Sequence, residues 1–288
     1  MTDAVATAPA PPVRSTFALW RQRYAALIRA AWLVDLQYRA DIVLWLLWGI
    51  TEPAIALGIW WSIASASGEL GVDGYSRAAF AQYFFGVTLV NQLTQAWDAW
   101  YIDRWIAEGE MNHRLARPVA PIHEAVADNI AYKARTGTVA LVLWLIAAAL
   151  WPAVRVPMHP ERWLLAAIAI VLGAAIRFFN GFTIGLLAFW TTRATAIVEL
   201  QMATAMFLSG QIAPLDLLPH PVAVLASYLW FPYTIAFPVT LLTDVGPGGS
   251  PGGIVRGFVG QIIWLALWWA AYRFVWRRGV MHYGAVGG

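Results

Sequence analysis

The chain has 288 residues, of which 60% are hydrophobic and only 12% are charged, and it contains 18 tryptophans. This balance excludes an ordinary soluble domain and is typical of an integral membrane protein. The lack of cysteine excludes disulfides, thiolate metal sites and a cysteine nucleophile. The net charge of +3, with arginines at the ends of apolar runs, does not indicate nucleic-acid binding.

The N-terminal region contains two segments of different character. Residues 1–14 are rich in proline and small side chains, and they are predicted to form a disordered cytoplasmic tail. Residues 15–38 carry apolar side chains at spacings of three to five with arginines between them. This pattern predicts a basic amphipathic helix that lies at the inner membrane surface. The alternative is an exposed helix that packs on a protein partner.

Six apolar segments follow that are long enough to cross about 30 Å of hydrocarbon. They are residues 41–63, 80–100, 137–151, 163–190, 195–212 and 258–275. The third segment is short, so we expect it to begin inside the basic stretch around Lys133, whose long side chain can reach the interface. The sequence therefore predicts an all-α integral membrane protein with six transmembrane helices.

A seventh apolar segment, residues 222–242, contains Pro232 and Pro238 and follows a proline-rich stretch. With six spans and a cytoplasmic N-terminus, fourteen lysines and arginines lie inside and four outside. Counting residues 222–242 as a span changes this distribution to twelve and six. We therefore expect residues 213–245 to form short re-entrant outer helices broken near Phe231, with residues 284–288 as a cytoplasmic C-terminal tail.

The longest polar interruption between apolar runs is the charged segment of residues 101–135. Gly109 can break a helix that leaves the membrane, residues 110–115 can form a short helix, and Pro118 can end it. A polar connection of this length is typical of a segment that contacts a cytoplasmic partner. The alternative is an ordinary polar loop.

Two apolar residues of this short helix, Met111 and Leu115, are four positions apart and are predicted to share one face. They are candidates for an apolar anchor that enters a groove of a partner protein, with Glu110 and Arg114 at the rim.

The sequence lacks the residues of several enzymatic sites. A phosphate-binding loop would need Gly-x-x-x-x-Gly-Lys-Ser/Thr, but the only lysine, Lys133, is followed by alanine. The five histidines lie in predicted loops or at span ends, so we predict neither a buried catalytic base beside Ser209 nor a metal site. We therefore expect no catalytic residue and no cofactor in this chain.

Four polar residues are predicted at one depth near the middle of the bilayer. At a rise of about 1.5 Å per residue, the positions of these residues within their spans coincide. Charged residues at this depth usually pair with one another, which makes Glu52 and Arg177 candidate partners. The layer either holds the helices together or lines a substrate path, whereas Asp98 and Glu199 are expected at the inner interface. The four residues are Glu52, Asn91, Arg177 and Asn180.

The order of these features resembles the membrane subunits of ABC-2 type transporters over about residues 15–283. Two short motifs carry the resemblance: Gly-Glu…Leu-x-Arg-Pro-Val at residues 109–119 and Ser-Gly-x-x-x-Pro-Leu-x-x-Leu-Pro at residues 209–219. The resemblance implies that the loop after the second span bears a coupling helix for a separate ATPase subunit. That role falls on Glu108, Gly109, Glu110, Met111, Asn112, His113, Arg114, Leu115, Arg117 and Pro118.

The resemblance also implies a multi-pass permease subunit in a bacterial inner membrane, with both termini cytoplasmic. Two such subunits, identical or related, would enclose the path, and ATP and Mg²⁺ would be bound by the partner ATPase. The exported substrate would be an amphipathic small molecule, a lipid-linked compound or a peptide. The alternative is a secondary carrier or channel that works without ATP.

Overall fold

The computed structural model describes residues 16–37, 39–67, 71–157, 159–191, 194–246 and 249–286, and all regular structure within them is helical apart from one isolated bridge between Val72 and Tyr75. This confirms the all-α prediction, whereas the predicted tail of residues 1–14 lies outside the described residues. The first six helices are α1 (Thr16–Gln37), α2 (Arg39–Ala66), α3 (Arg77–Thr94), α4 (Asp98–Ala107), α5 (Met111–Leu115) and α6 (Pro121–Leu150). The remaining five are α7 (Pro160–Gly185), α8 (Thr195–Leu208), α9 (His220–Ser227), α10 (Ala236–Thr243) and α11 (Pro251–Val286).

Three helices in the described part of the chain are long and apolar enough to cross a membrane. They are Pro121–Leu150, Pro160–Phe189, which is α7 with a following 3-10 turn, and Pro251–Tyr283 within α11. Several of the apolar side chains on these helices are exposed, including Leu150, Val171 and Phe274. Because lipid is the solvent that tolerates such surfaces, the chain is a multi-pass membrane protein.

Helix α6 includes the short third segment of the sequence prediction but starts much earlier. It begins at Pro121, a favourable residue for the first turn of a helix, and continues for 30 residues. At 1.5 Å per residue, the helix is about 45 Å long and exceeds the hydrocarbon thickness. Residues 121–135 of the predicted cytoplasmic loop are therefore the first half of this helix.

The second predicted span, residues 80–100, is not one helix. Helix α3 ends at Thr94, Gln95 has an extended backbone with ψ 137°, and α4 begins at Asp98. The prediction of a continuous span is therefore wrong. Neither proline nor glycine lies at the break, so local sequence does not cause it.

The region between α8 and α11 contains two short helices. Helices α9 and α10 have eight residues each and are separated by a stretch that includes Phe231 and Pro232. Each is about 12 Å long, so neither alone can cross the hydrocarbon. Helix α11 begins at Pro251, inside the glycine-rich segment, and extends three residues into the segment that was predicted as a tail.

Helix α7 is the central element and packs against α3, α4, α10 and α11. Small residues permit its close approach to α4: a Cβ atom at Gly185 would lie 2.8 Å from Cβ of Ile102. Another at Gly181 would lie 3.0 Å from a carboxylate oxygen of Asp98. Close helix packing at small residues is typical of membrane proteins, and here it fixes α4 on α7.

Helix α1 packs against the first turns of α6. The hydroxyl of Tyr24 lies 2.7 Å from Nδ1 of His123, and the ring of Trp20 lies 4.9 Å from the His123 ring. Burial raises the pKa of the Tyr24 phenol, so this hydroxyl stays protonated at neutral pH. The helix thus contacts its own chain, while Trp32 and Leu33 remain exposed.

Candidate functional site

A polar cavity of about 300 Å³ lies among α2, α3, α7 and α8, at the break between α3 and α4. It is lined by all four residues of the predicted polar layer, which the fold therefore brings together. Other amide and aromatic side chains complete the wall. The lining includes Glu52, Asn91, Arg177 and Asn180, together with Gln95, Trp97, Trp100, Tyr132, Gln201 and Trp230.

The guanidinium of Arg177 is bound to the C-terminal end of α3. Its Nη1 donates to Oδ1 of Asn91 at 2.8 Å and to Oγ1 of Thr94 at 3.1 Å, and its Nη2 donates to Oε1 of Gln95. A positive charge at a helix C-terminus also interacts favourably with the helix dipole. Arg177 therefore compensates for the end of α3 inside the protein and holds the break in place.

Glu52 lines the same cavity but does not form the predicted ion pair. No salt bridge within 4.0 Å joins its carboxylate to Arg177 among the described residues, because the arginine donates to α3 instead. Oε1 of Glu52 is buried and has no hydrogen-bond partner. The two residues therefore form no direct ion pair, but they line one cavity and lie near enough for their charges to attract each other.

A second polar contact crosses the cavity between α7 and α8. Nε2 of Gln201 donates to Oδ1 of Asn180 at 2.5 Å, whereas Nδ2 of Asn180 and Oε1 of Gln201 have no partner. Asn180 is only 1% exposed. One hydrogen bond thus joins the two amides, and each retains an unused polar atom.

A buried acid lies beside the cavity, next to the lining residues Ala99 and Gly181. Asp98, which was expected at the membrane interface, is fully buried and lies in the first turn of α4 against Gly181. A carboxylate in the first turn is favourable for the helix dipole. The expectation failed because the break at Gln95 turns α4 into the packed interior, while Glu199 on α8 is exposed.

The loop between α4 and α6 has the predicted local form. Gly109 has φ 76°, a left-handed conformation that favours glycine, and α5 follows at Met111–Leu115. Pro118 lies three residues beyond this helix and is exposed. The loop therefore presents one short helix between α4 and α6.

The apolar face of α5 points into the chain and not away from it. Met111 is fully buried in a core with Ile102 and Trp105 of α4 and Phe178 of α7, and Leu115 packs against the same core. The prediction that Met111 anchors a partner is therefore wrong. The spacing correctly placed both residues on one face, but that face attaches α5 to its own protein.

Arg114 also serves this internal attachment. Its guanidinium lies 3.3 Å from Glu110 and 3.6 Å from Glu124, and it sits 3.8 Å above the centre of the Trp105 ring. The side chain is only 12% exposed, so it is not a rim residue as expected. Arg117 reaches Glu124 at 3.5 Å but is 54% exposed.

The outward surface of the loop, which we call the α5 surface, consists of the remaining predicted residues with exposed side chains. It is polar and carries charges of both signs, while the core beneath it is apolar. Its members are Glu108, Asn112, His113, Arg117 and Pro118.

Comparison with protein families decides the class of this membrane protein. A family model described as "ABC-2 family transporter protein" matches residues 53–287, which include the α5 loop and most of the cavity. The chain belongs to the ABC-2 transporter family. A search of curated proteins finds no significant match.

In this ABC-2 protein, several residues that line the cavity were not predicted from the sequence. Gln201 lies within an apolar segment, so its amide carried the same signal as Asn91 and Asn180. Gln95 and Tyr132 lie near predicted span ends. Polar residues are common there and do not indicate a functional site. Only the break after α3 and the extension of α6 bring these two side chains to the cavity.

Proposed function

We propose that this ABC-2 protein is the non-catalytic permease subunit of an ATP-driven exporter in a bacterial inner membrane. It moves an amphipathic small molecule outward through the polar cavity, and a separate subunit binds Mg²⁺ and hydrolyses ATP. The observation that carries this proposal is the α5 surface, a short exposed segment that is attached to the packed interior of the chain.

Helix α4 provides the connection between this surface and the cavity. At its end, Trp105 packs with Met111 of α5, and at its start, Trp97 and Trp100 line the cavity. Ten residues give a rigid element of about 15 Å. A displacement of α5 by the ATPase therefore moves the cavity wall, with the break at Gln95 as the hinge.

The proposed topology has six membrane passages, formed by α2, α3, α6, α7, α8 and α11, with α1 at the inner surface. Helices α9 and α10 enter the outer leaflet and return. Fourteen inner against four outer basic residues support this arrangement. Two such subunits, identical or paired with a related permease, enclose the path.

The topology is tested by labelling in intact cells, because the chain has no cysteine. Thr7→Cys, Ser250→Cys and Ala285→Cys variants are treated with a membrane-impermeant maleimide. Only the variant at position 250 is expected to react. Labelling at position 285 would place the C-terminus outside and contradict six passages.

The function is tested by co-purification with a candidate ATPase subunit that carries a phosphate-binding loop, and by vanadate-sensitive ATP hydrolysis. The double variant Asn112→Asp/His113→Asp should fold normally but lose both, because it changes the charge of the α5 surface. The matched control is Ser67→Asp, an exposed position outside the loop. Normal ATPase binding by the double variant would contradict the proposal, and transport without any ATPase would favour a secondary carrier.

A further inference from the structure

The polar atoms of the cavity that lack a hydrogen-bond partner include more acceptors than donors. Arg177 already donates to Asn91, Thr94 and Gln95, so its hydrogen bonds are directed at the end of α3. Two buried acceptors of lining residues have no partner, Oε1 of Glu52 and Oε1 of Gln201, and Nδ2 of Asn180 is an unpartnered donor. Both oxygens of the nearby Asp98 also lack a partner, but Asp98 does not line the cavity. The cavity therefore offers a carboxylate and a carbonyl oxygen to a ligand.

Burial makes these unused acceptors significant. A buried polar atom without a partner costs free energy, and the cost is larger for a charged group. A carboxylate that is retained in this state is typical of a binding site, since a ligand can supply the missing donor. An anionic ligand would meet the Glu52 charge, and three of the five N–H donors of Arg177 are already bonded to residues at the end of α3.

The positive charge of Arg177, which would repel a cation, is partly balanced by neighbouring groups. The guanidinium lies at the C-terminal end of α3, where the helix dipole is negative. One helical turn along α7, the buried carboxylate of Asp98 rests against Gly181. The charges of Glu52 and Asp98 both attract Arg177, and Oε1 of Glu52 has no hydrogen-bond partner among the described residues.

Four aromatic side chains also contribute to the cavity wall. Trp97, Trp100, Tyr132 and Trp230 all line it. Indole and phenol rings attract organic cations through their faces and also cover apolar groups. A volume of about 300 Å³ is at the lower end of ligand pockets and suits a compact aromatic or aliphatic body.

We propose that the cavity selects amphipathic organic cations, with the Glu52 carboxylate as the counter-ion. The ammonium group of the ligand donates to Oε1 of Glu52 and Oε1 of Gln201, and its apolar body lies against the tryptophans. This assignment rests on the proposed function, because it treats the cavity as part of the substrate path.

The test measures binding to the purified full chain in lipid nanodiscs by three probes with one fluorophore. Dansylcadaverine carries a primary ammonium, N-acetyl-dansylcadaverine is neutral, and dansyl-6-aminohexanoate is anionic. We expect the ammonium probe to bind about tenfold more tightly than the neutral probe, as one charge-assisted hydrogen bond predicts, and the anion to bind least.

Substitution separates the carboxylate from the rest of the cavity. Glu52→Gln should remove the preference for the ammonium probe and leave the neutral probe unchanged, whereas Glu199→Gln, at an exposed acid on α8, should leave both unchanged. An equal affinity for the two probes in the native chain, or an unaltered preference in Glu52→Gln, would overturn the proposal. If Glu52→Gln binds neither probe, Gln201→Leu decides: a reduced preference supports the site, and a native preference rejects it.

This measurement does not need the ATPase. Loss of ATPase binding in the native chain with an intact ammonium preference would reject the exporter and keep the cation site. The opposite result, a functional ATPase complex without charge preference, would keep the exporter and reject Glu52 as the counter-ion.

Discussion

The loop around α5 and the cavity between α2 and α8 both contain charged residues. Among the described residues of these two regions, only those of the loop form ion pairs within 4.0 Å. In the loop, Arg114 lies within 3.6 Å of two glutamates and over the Trp105 ring. In the cavity, Glu52 retains a buried oxygen without a partner. The loop therefore uses its charges to stay attached to the protein, whereas we propose that the cavity leaves polar atoms for a ligand. A rigid element that transmits force and a site that binds substrate need these opposite properties.

The largest expected effect is at the base of the loop. Met111→Ala removes a fully buried side chain from the core shared by α4, α5 and α7, and we expect a loss of about 2–5 kcal/mol in the free energy of unfolding. Asn112→Ala, at the exposed neighbour, should change it by less than about 0.5 kcal/mol. Denaturant unfolding in detergent checks both. Equal losses would show that α5 is not anchored through Met111.

The next effect tests what holds the break after α3. Arg177→Gln and Asn91→Leu should be coupled by about 0.5–3 kcal/mol in a double-mutant cycle, because the guanidinium donates to Oδ1 of Asn91. The cycle between Arg177→Gln and Glu52→Gln should give a smaller coupling. Thermal unfolding of the four variants in detergent gives the two coupling energies. A larger coupling energy between Arg177 and Glu52 than between Arg177 and Asn91 would show that Arg177 and Glu52 form a direct ion pair.

A smaller effect separates the two arginines that share Glu124. Arg114→Ala should lower stability by about 2 kcal/mol, because it also loses a desolvated contact with the Trp105 ring. Arg117→Ala should cost at most about 1 kcal/mol, since that pair is exposed to solvent. Similar losses in thermal unfolding would mean that the ring contact contributes nothing.

The smallest expected effect on stability is in the cavity. Glu52→Gln removes a charge that has an unpartnered buried oxygen, so the unfolding free energy should change by less than about 0.5 kcal/mol or increase. The same variant should lose the preference for the ammonium probe. A loss above about 1 kcal/mol would show that Glu52 stabilises the fold and is not kept for a ligand.

Sequence patterns could predict features that depend on local chemistry or on composition. The helical class follows from apolar length, and α5 follows from Gly109 and the residues after it. The polar layer also follows, because an amide or charge in an apolar segment is costly unless it faces protein. These predictions need no knowledge of which helices are neighbours.

The features that sequence could not predict depend on contacts between distant residues. The break at Gln95 is held by Arg177, 82 residues further along the chain, and no local residue signals it. The direction of Met111 depends on the core that it shares with Phe178 of α7 and Trp105 of α4. The burial of Asp98 also depends on distant contacts. Asp98 lies in the first turn of α4, and α4 is a separate helix because α3 ends at Thr94.

The most direct test of the account is cross-linking from the α5 surface in the cysteine-free chain. A His113→Cys variant is labelled with a benzophenone maleimide and irradiated in the complex with its ATPase. We expect an adduct between the two subunits at position 113. We expect none from Ser250→Cys, which is proposed to lie outside. An intact, hydrolytically active complex that gives no adduct at position 113 would contradict it.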